Sequence, residues 1–138
     1  MADVLTRVGQ FVEERYQDDP DELDHVQGVS AMAQTLDDQI VALLHDLVED
    51  SFASWEEVAD ILGADADRLL PALRLLTRDD EPYANYIERI AASGNVNAIN
   101  VKTFDLFDHL SPYKRAGLLG TKVDRYLAAL DRLVRLPA

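Results

Sequence analysis

The chain of 138 residues contains no cysteine. Disulfides, thiolate metal sites and cysteine nucleophiles are thereby excluded, and the composition is compatible with a reducing cytoplasm. No apolar run approaches the roughly 18 residues that a membrane span requires. The opening Met1-Ala2-Asp3-Val4-Leu5-Thr6-Arg7 lacks a basic stretch followed by an apolar one, so no signal peptide is expected and the cytoplasm is the expected location. Positive charge is scarce as well. Lys and Arg number 13 against 26 Asp and Glu, a net charge of −13. That balance argues against a nucleic-acid partner, because a phosphate backbone demands clustered cations. Strand-like alternation of useful length, internal repeats and low-complexity segments are also missing.

What is present is an ordinary globular share of apolar residues, 48%, which argues against disorder. The charge is unevenly spread. Residues 1–99 hold 22 acidic and 6 basic side chains, whereas residues 100–138 hold 4 acidic and 7 basic, including every lysine: Lys102, Lys114 and Lys122. An acidic surface that solubilises the protein accounts for this simply. A sharper reading is that the C-terminal segment supplies cations for an anionic substrate held elsewhere by a metal.

Helical periodicity runs through the chain. Val4, Leu5, Val8, Phe11, Val12 and Tyr16 mark a first helix, broken by Gln17-Asp18-Asp19-Pro20-Asp21. Val26, Val29, Met32, Ala33 and Leu36 mark a second, with His25 opening it. Ile40, Leu43, Leu44, Leu47 and Val48 mark a third. Ser54 and Glu57 read as a capping box for a fourth helix that Gly63 closes. Leu69, Leu70, Leu73 and Leu76 form a fifth stripe, which Pro71 should kink or delay. After a charged loop from Arg78 to Pro82, Tyr83, Tyr86, Ile87 and Ile90 give a sixth, ended by Ser93-Gly94-Asn95. Ala98, Val101, Phe104 and Phe107 give a seventh, and beyond Ser111-Pro112 a last helix packs through Val123, Tyr126, Leu127, Leu130 and Val134. The expected fold is all-α, one helical bundle of about seven or eight helices forming a single domain over residues 1–138.

On a wheel of about 100° per residue, the third helix splits into an apolar face and a face carrying His45, Asp46, Glu49 and Asp50. No Lys or Arg neutralises these three carboxylates. Like charges at i,i+4 spacing cost roughly a few tenths of a kcal/mol each unless a cation sits among them. A divalent metal supplies that charge, and an imidazole beside a carboxylate suits manganese, iron or zinc. A His-Asp pair needs partners from other helices. The chain has only three histidines; His25 lies on the second helix, and His109 follows Asp105 by four residues on the seventh. Asp105 lies amid apolar positions, where a carboxylate must be exposed, hydrogen-bonded or bound to a cation.

The order His25, His45-Asp46, Asp105 resembles the H…HD…D signature of the HD superfamily of metal-dependent phosphohydrolases. Ala42-Leu43-Leu44-His45-Asp46-Leu47-Val48-Glu49-Asp50-Ser51 is similar to the A-L-L-H-D-x-x-E-D-T segment of the RelA/SpoT-type hydrolases of the alarmone (p)ppGpp. Softer likenesses surround it. Trp55 to Gly63, Leu76-Thr77-Arg78, Tyr83 through Tyr86-Ile87-Glu88-Arg89-Ile90, and Val101-Lys102-Thr103-Phe104-Asp105-Leu106 resemble segments of that group and its small stand-alone relatives. The resemblance runs from about residue 22 to residue 112. It implies that His25, His45, Asp46 and Asp105 hold one divalent cation, usually manganese in this family, with iron or zinc as the alternatives. Glu49 and Asp50 match the acidic pair that activates or orients water, and Lys102 and Arg78 would neutralise phosphate charge.

Two features depart from these relatives. His109 stands where the family's D-L-x-x-N places an asparagine against the nucleotide, so it takes the corresponding substrate-binding position here. The approach to the first histidine, Asp18-Asp19-Pro20-Asp21-Glu22-Leu23-Asp24, is acidic where the larger members are rich in Gly and Lys. Carboxylates there weaken the hold on a highly charged nucleotide. The expected function is hydrolysis of a small phosphorylated substrate, a nucleotide or related phosphoester that is (p)ppGpp-like at one extreme. The alternative is a catalytically silent relative that keeps the fold and acts through a protein partner.

Overall fold

Asp3 accepts the Thr6 N–H at 2.8 Å and caps α1 (Val4–Arg15). The structure, a computed structural model, describes residues 3–135, Tyr113 by its backbone alone. Both ends of the domain expected over 1–138, including the Met1-Ala2 start of the expected leaderless terminus, lie outside the described residues. Asp19 accepts the Glu22 N–H at 3.3 Å and caps α2 (Pro20–Met32). The segment expected to break the helix therefore contains its first turn, since proline at the first helical position gives up only an N–H that has no partner anyway. His25 lies in the second turn, not at the opening. Thr35 caps α3 (Leu36–Leu44), so Leu36 starts this helix instead of ending the previous one, and it is exposed.

The capping box of Ser54 and Glu57 opens α4 (Trp55–Leu62), and Gly63 closes it at φ 57°. A 3-10 turn then leads into α5 (Ala66–Leu76), whose start Pro71 does not delay; the proline sits inside the helix, exposed. There follow α6 (Tyr83–Ala92), α7 (Val96–His109), a one-turn α8 (Pro112–Arg115) that periodicity did not reveal, and α9 (Gly120–Val134). Among the described residues, then, there are eight helices of two turns or more and no strand, as an all-α bundle requires. Phe107, Leu127 and Val134, expected in the core, are exposed. No helix among the described residues is long and apolar enough to cross a membrane.

The largest correction concerns the third helix, which stops at Leu44 and does not run regularly to Asp50. The His45 ring explains the local change. Its Nδ1 donates to the Ala42 carbonyl at 2.5 Å, engaging the oxygen that an unbroken helix would offer to the N–H of Asp46. The chain tightens, with the Leu47 N–H bonding the Leu44 carbonyl at 3.2 Å, and continues as turns. Ser51 then adopts φ 66°. Its N–H reaches the Val48 carbonyl at 3.1 Å, and that of Phe52 reaches Leu47 at 2.9 Å, the paired closure of a Schellman cap. Leu47 is fully buried and anchors the segment. The His-Asp and Glu-Asp pairs thus sit on a short, doubly closed turn.

This turn lies at the centre of the fold because α3 packs against α1, α2, α5 and α7. A buried carboxylate fixes α3 to α7. Asp38, 3% exposed, accepts from the side-chain amides of Asn97 at 2.8 Å and Asn100 at 3.0 Å. Periodicity gave no hint of this, since Asp38 sits in an acidic first turn that suits a helix N-terminus on its own. Removing the acceptor leaves two amides without partners beside the core. Asp38→Ala should lower stability by about 1–3 kcal/mol in urea unfolding, with the slope unchanged.

Candidate metal centre

Three helical elements bring their polar groups to one point. His25 comes from α2, His45 and Asp46 from the turn after α3, and Asp105 from α7. Each offers one ligand atom, and these atoms lie within 4.8 Å of one another, so the group can hold a metal ion. His25, His45 and Asp105 are each 3–4% exposed. The His25 Nε2 lies 2.7 Å from Asp105 Oδ1, and the His45 Nε2 lies 3.3 Å from both that oxygen and Asp46 Oδ2.

The opposite edge of each imidazole is already committed. His45 Nδ1 donates to the Ala42 carbonyl, and His25 Nδ1 donates to Asp108 Oδ2 at 2.6 Å. Such bonds set the ring orientation and leave Nε2 to face the centre, the arrangement found around metal-binding histidines. Asp108 is in turn paired with Lys114. Gly28 on α2 makes room for it: a Cβ there would come within 3.2 Å of Asp108 Oδ1.

Charge in the centre is strongly redistributed. Burial opposes the ionised form of Asp105, but Lys102 and then the histidines outweigh it and hold the carboxyl well below its usual range. The Lys102 ammonium is itself buried and donates to Asp105 Oδ2 at 2.7 Å. Burial likewise opposes protonation of both imidazoles. Asp105 more than compensates at His25, and Asp46 with Asp105 pushes His45 up to about 10. Burial raises Asp50 to about 6, helped by Asp46, and raises Glu49 above the usual carboxylate range.

All nine residues expected from the sequence gather here. Glu49, Asp50, Arg78, Lys102 and His109 join Asp46 and Asp105 in the wall of a cavity of about 200 Å³ beside the four ligand groups. The Arg78 backbone N–H donates to Glu49 Oε1 at 2.7 Å, while the Arg78 side chain is exposed. Tyr16 donates to Asp50 Oδ2 at 3.2 Å. His109 stacks on His25 at 4.4 Å between ring centres, and its Nε2 lies 3.5 Å from Asp105 Oδ1.

Several residues of the site were not foreseen. Glu22, read as part of an acidic approach, groups with Asp46 and Asp50, their carboxylate oxygens lying within 4.8 Å of one another. Burial and the neighbouring Asp46 raise its pKa well above the usual range. Asp108, Tyr16, Tyr83 and Tyr126 were also missed. A signal existed for two of them: Glu22 precedes His25 by three residues and Asp108 follows Asp105 by three, so each shares a helix face with a ligand. Neither a family model nor a curated protein sequence matches the chain.

The raised imidazole pKa values carry a definite sign. Histidine stabilisation in the metal-free protein is complete below the ordinary value of 6.5 and is lost as pH rises toward about 10 for His45. Those same protons must leave before nitrogen can bind a cation. Chelator-treated protein should therefore lose thermal stability between pH of about 6.5 and about 9. Added Mn²⁺ or Zn²⁺ should raise Tm more at the alkaline end, a difference that scanning calorimetry resolves.

Proposed function

We propose that this chain is an HD-type metal-dependent phosphohydrolase acting on a small phosphoester, with nucleotides among the candidates. The observation that carries this reading is the convergence of two imidazoles and two carboxylates from three elements under a cavity that also presents Glu49, Asp50 and Lys102. The donor set is nitrogen and oxygen without thiolate, and the fixed outer edges of both rings fit a divalent ion. His25, His45, Asp46 and Asp105 hold it, with manganese the first choice and iron or zinc the alternatives. A divalent ion in that place polarises a phosphoryl oxygen and lowers the pKa of water.

The remaining work falls to the chain itself. Glu49 and Asp50 take the proton of the attacking water or return it to the leaving group. Asp50, raised to about 6, exchanges a proton readily near neutral pH. The Arg78 N–H fixes one carboxylate and the Tyr16 hydroxyl the other. Lys102 sets positive charge in the cavity wall, and Arg78 offers a guanidinium at the mouth. The approach to His25 from Asp18 to Asp24 is acidic, so a substrate with fewer negative charges than (p)ppGpp suits this site better. The silent, partner-binding alternative keeps the fold and lacks turnover.

Phosphate release from a panel of nucleotides and simple phosphoesters with added Mn²⁺ tests the proposal. One metal per chain should be found by elemental analysis and should vanish in Asp46→Ala. Glu49→Gln and Asp50→Asn should keep the metal and lower kcat by roughly 10²- to 10⁴-fold. Turnover that survives both substitutions removes their assigned role, and silence across the panel leaves the alternative.

A further inference from the structure

The cavity over the ligand groups, about 200 Å³, is too small for more than a phosphoryl group and its immediate surroundings. Pockets that take a whole small molecule run from roughly 300 to 1,000 Å³. A second cavity of about 490 Å³ lies between α6 and α9, and Tyr83 lines both. Its floor is apolar: Ala84 and Ile87 from α6, Ala128 and Ala129 from α9. Small side chains at these positions leave the space between α6 and α9 unfilled. Its rim is not neutral. Arg125 lies over the Tyr83 ring at 5.4 Å, with no carboxylate paired to it among the described residues, while Glu88 and Arg132 pair with each other elsewhere on the lining.

Tyr83 itself is unusual. Three cations surround its ring: Arg78 and Arg125 each at 5.4 Å and Lys102 at 5.7 Å. Its hydroxyl is buried without a hydrogen-bond partner among the described residues. A buried hydroxyl left unpaired is costly, and a ligand oxygen placed beside it removes the cost. Tyr83 thus stands between a phosphoryl-sized chamber and an apolar groove, with an unpaired hydroxyl and three cations about its ring.

Building on the phosphohydrolase reading, we propose that the α6–α9 groove is the specificity subsite, receiving the apolar, ring-shaped part of a phosphomonoester whose phosphoryl group lies in the chamber across Tyr83. The Tyr83 ring and the alanine floor accept a flat apolar body. Arg78 in the chamber wall attracts the anion, and Arg125 adds positive charge over the Tyr83 ring.

Calorimetric titration of the Mn²⁺-supplemented full chain with 1-naphthylmethylphosphonate, methylphosphonate and 1-naphthalenemethanol tests this, since a P–C bond cannot be hydrolysed. The naphthyl phosphonate should bind at least about tenfold tighter than methylphosphonate. Ala84→Trp and Ala128→Trp, at exposed positions that tolerate bulk, should each abolish that preference and leave methylphosphonate binding and the melting temperature unchanged. A naphthyl preference that is absent, or that survives both tryptophans, overturns the groove while leaving the phosphohydrolase reading standing. Naphthalenemethanol binding as tightly as its phosphonate overturns the link across Tyr83. Failure of both phosphonates to bind removes the phosphoester reading, and the subsite with it.

Discussion

Asp105 receives the His25 and His45 rings on one carboxylate oxygen and the Lys102 ammonium on the other, at 3% exposure. A charge so placed is tolerable only with partners on every side. Those partners come from α2, from the turn after α3 and from α7 itself. The same contacts that satisfy the carboxylate therefore hold three elements in register. Asp38 and its two asparagines repeat the arrangement one helical length away, between α3 and α7. The polar core thus includes two buried carboxylates, Asp38 between α3 and α7 and Asp105 among α2, the turn after α3 and α7.

The tight turn from His45 to Ser51 follows from the same constraint. Had the helix run on regularly, His45 and Asp46 would project along a common stripe with Glu49 and Asp50. Engaging the Ala42 carbonyl tips the His45 ring into the core, where its Nε2 meets Asp105. Asp46 remains at the cavity edge, and Glu49 and Asp50 line the cavity wall. The break thereby separates the candidate ligand positions from the candidate proton-handling positions within six residues. The positive φ of Ser51 is a local cost accepted at the end of this turn, and the buried side chain of Leu47 offsets it.

Much of this was legible beforehand. Apolar spacing located the main helices, because burial of one face is what keeps a helix folded. The capping box at Ser54 and Glu57 is read from two residues three apart, and local bonds alone satisfy it. That the nine candidate residues would lie together was legible through residue type, order and resemblance. Less legible were Glu22 and Asp108, which look like ordinary acidic surface residues until α2 and α7 are set side by side. Gly28 conceals its role in the same way, as space left for a side chain 80 positions away.

What the sequence determined by itself is local: helical periodicity, caps, the supply of imidazoles and carboxylates, and the absence of thiol chemistry. These depend on neighbours within a turn or two of chain. The tertiary structure decided which carboxylates became buried partners and which stayed in solvent, where α3 stopped, and that Tyr83 stands between a small polar chamber and an apolar groove. Each of these turns on the desolvation of groups far apart in sequence, and desolvation is a property of packing, which no short window of residues contains.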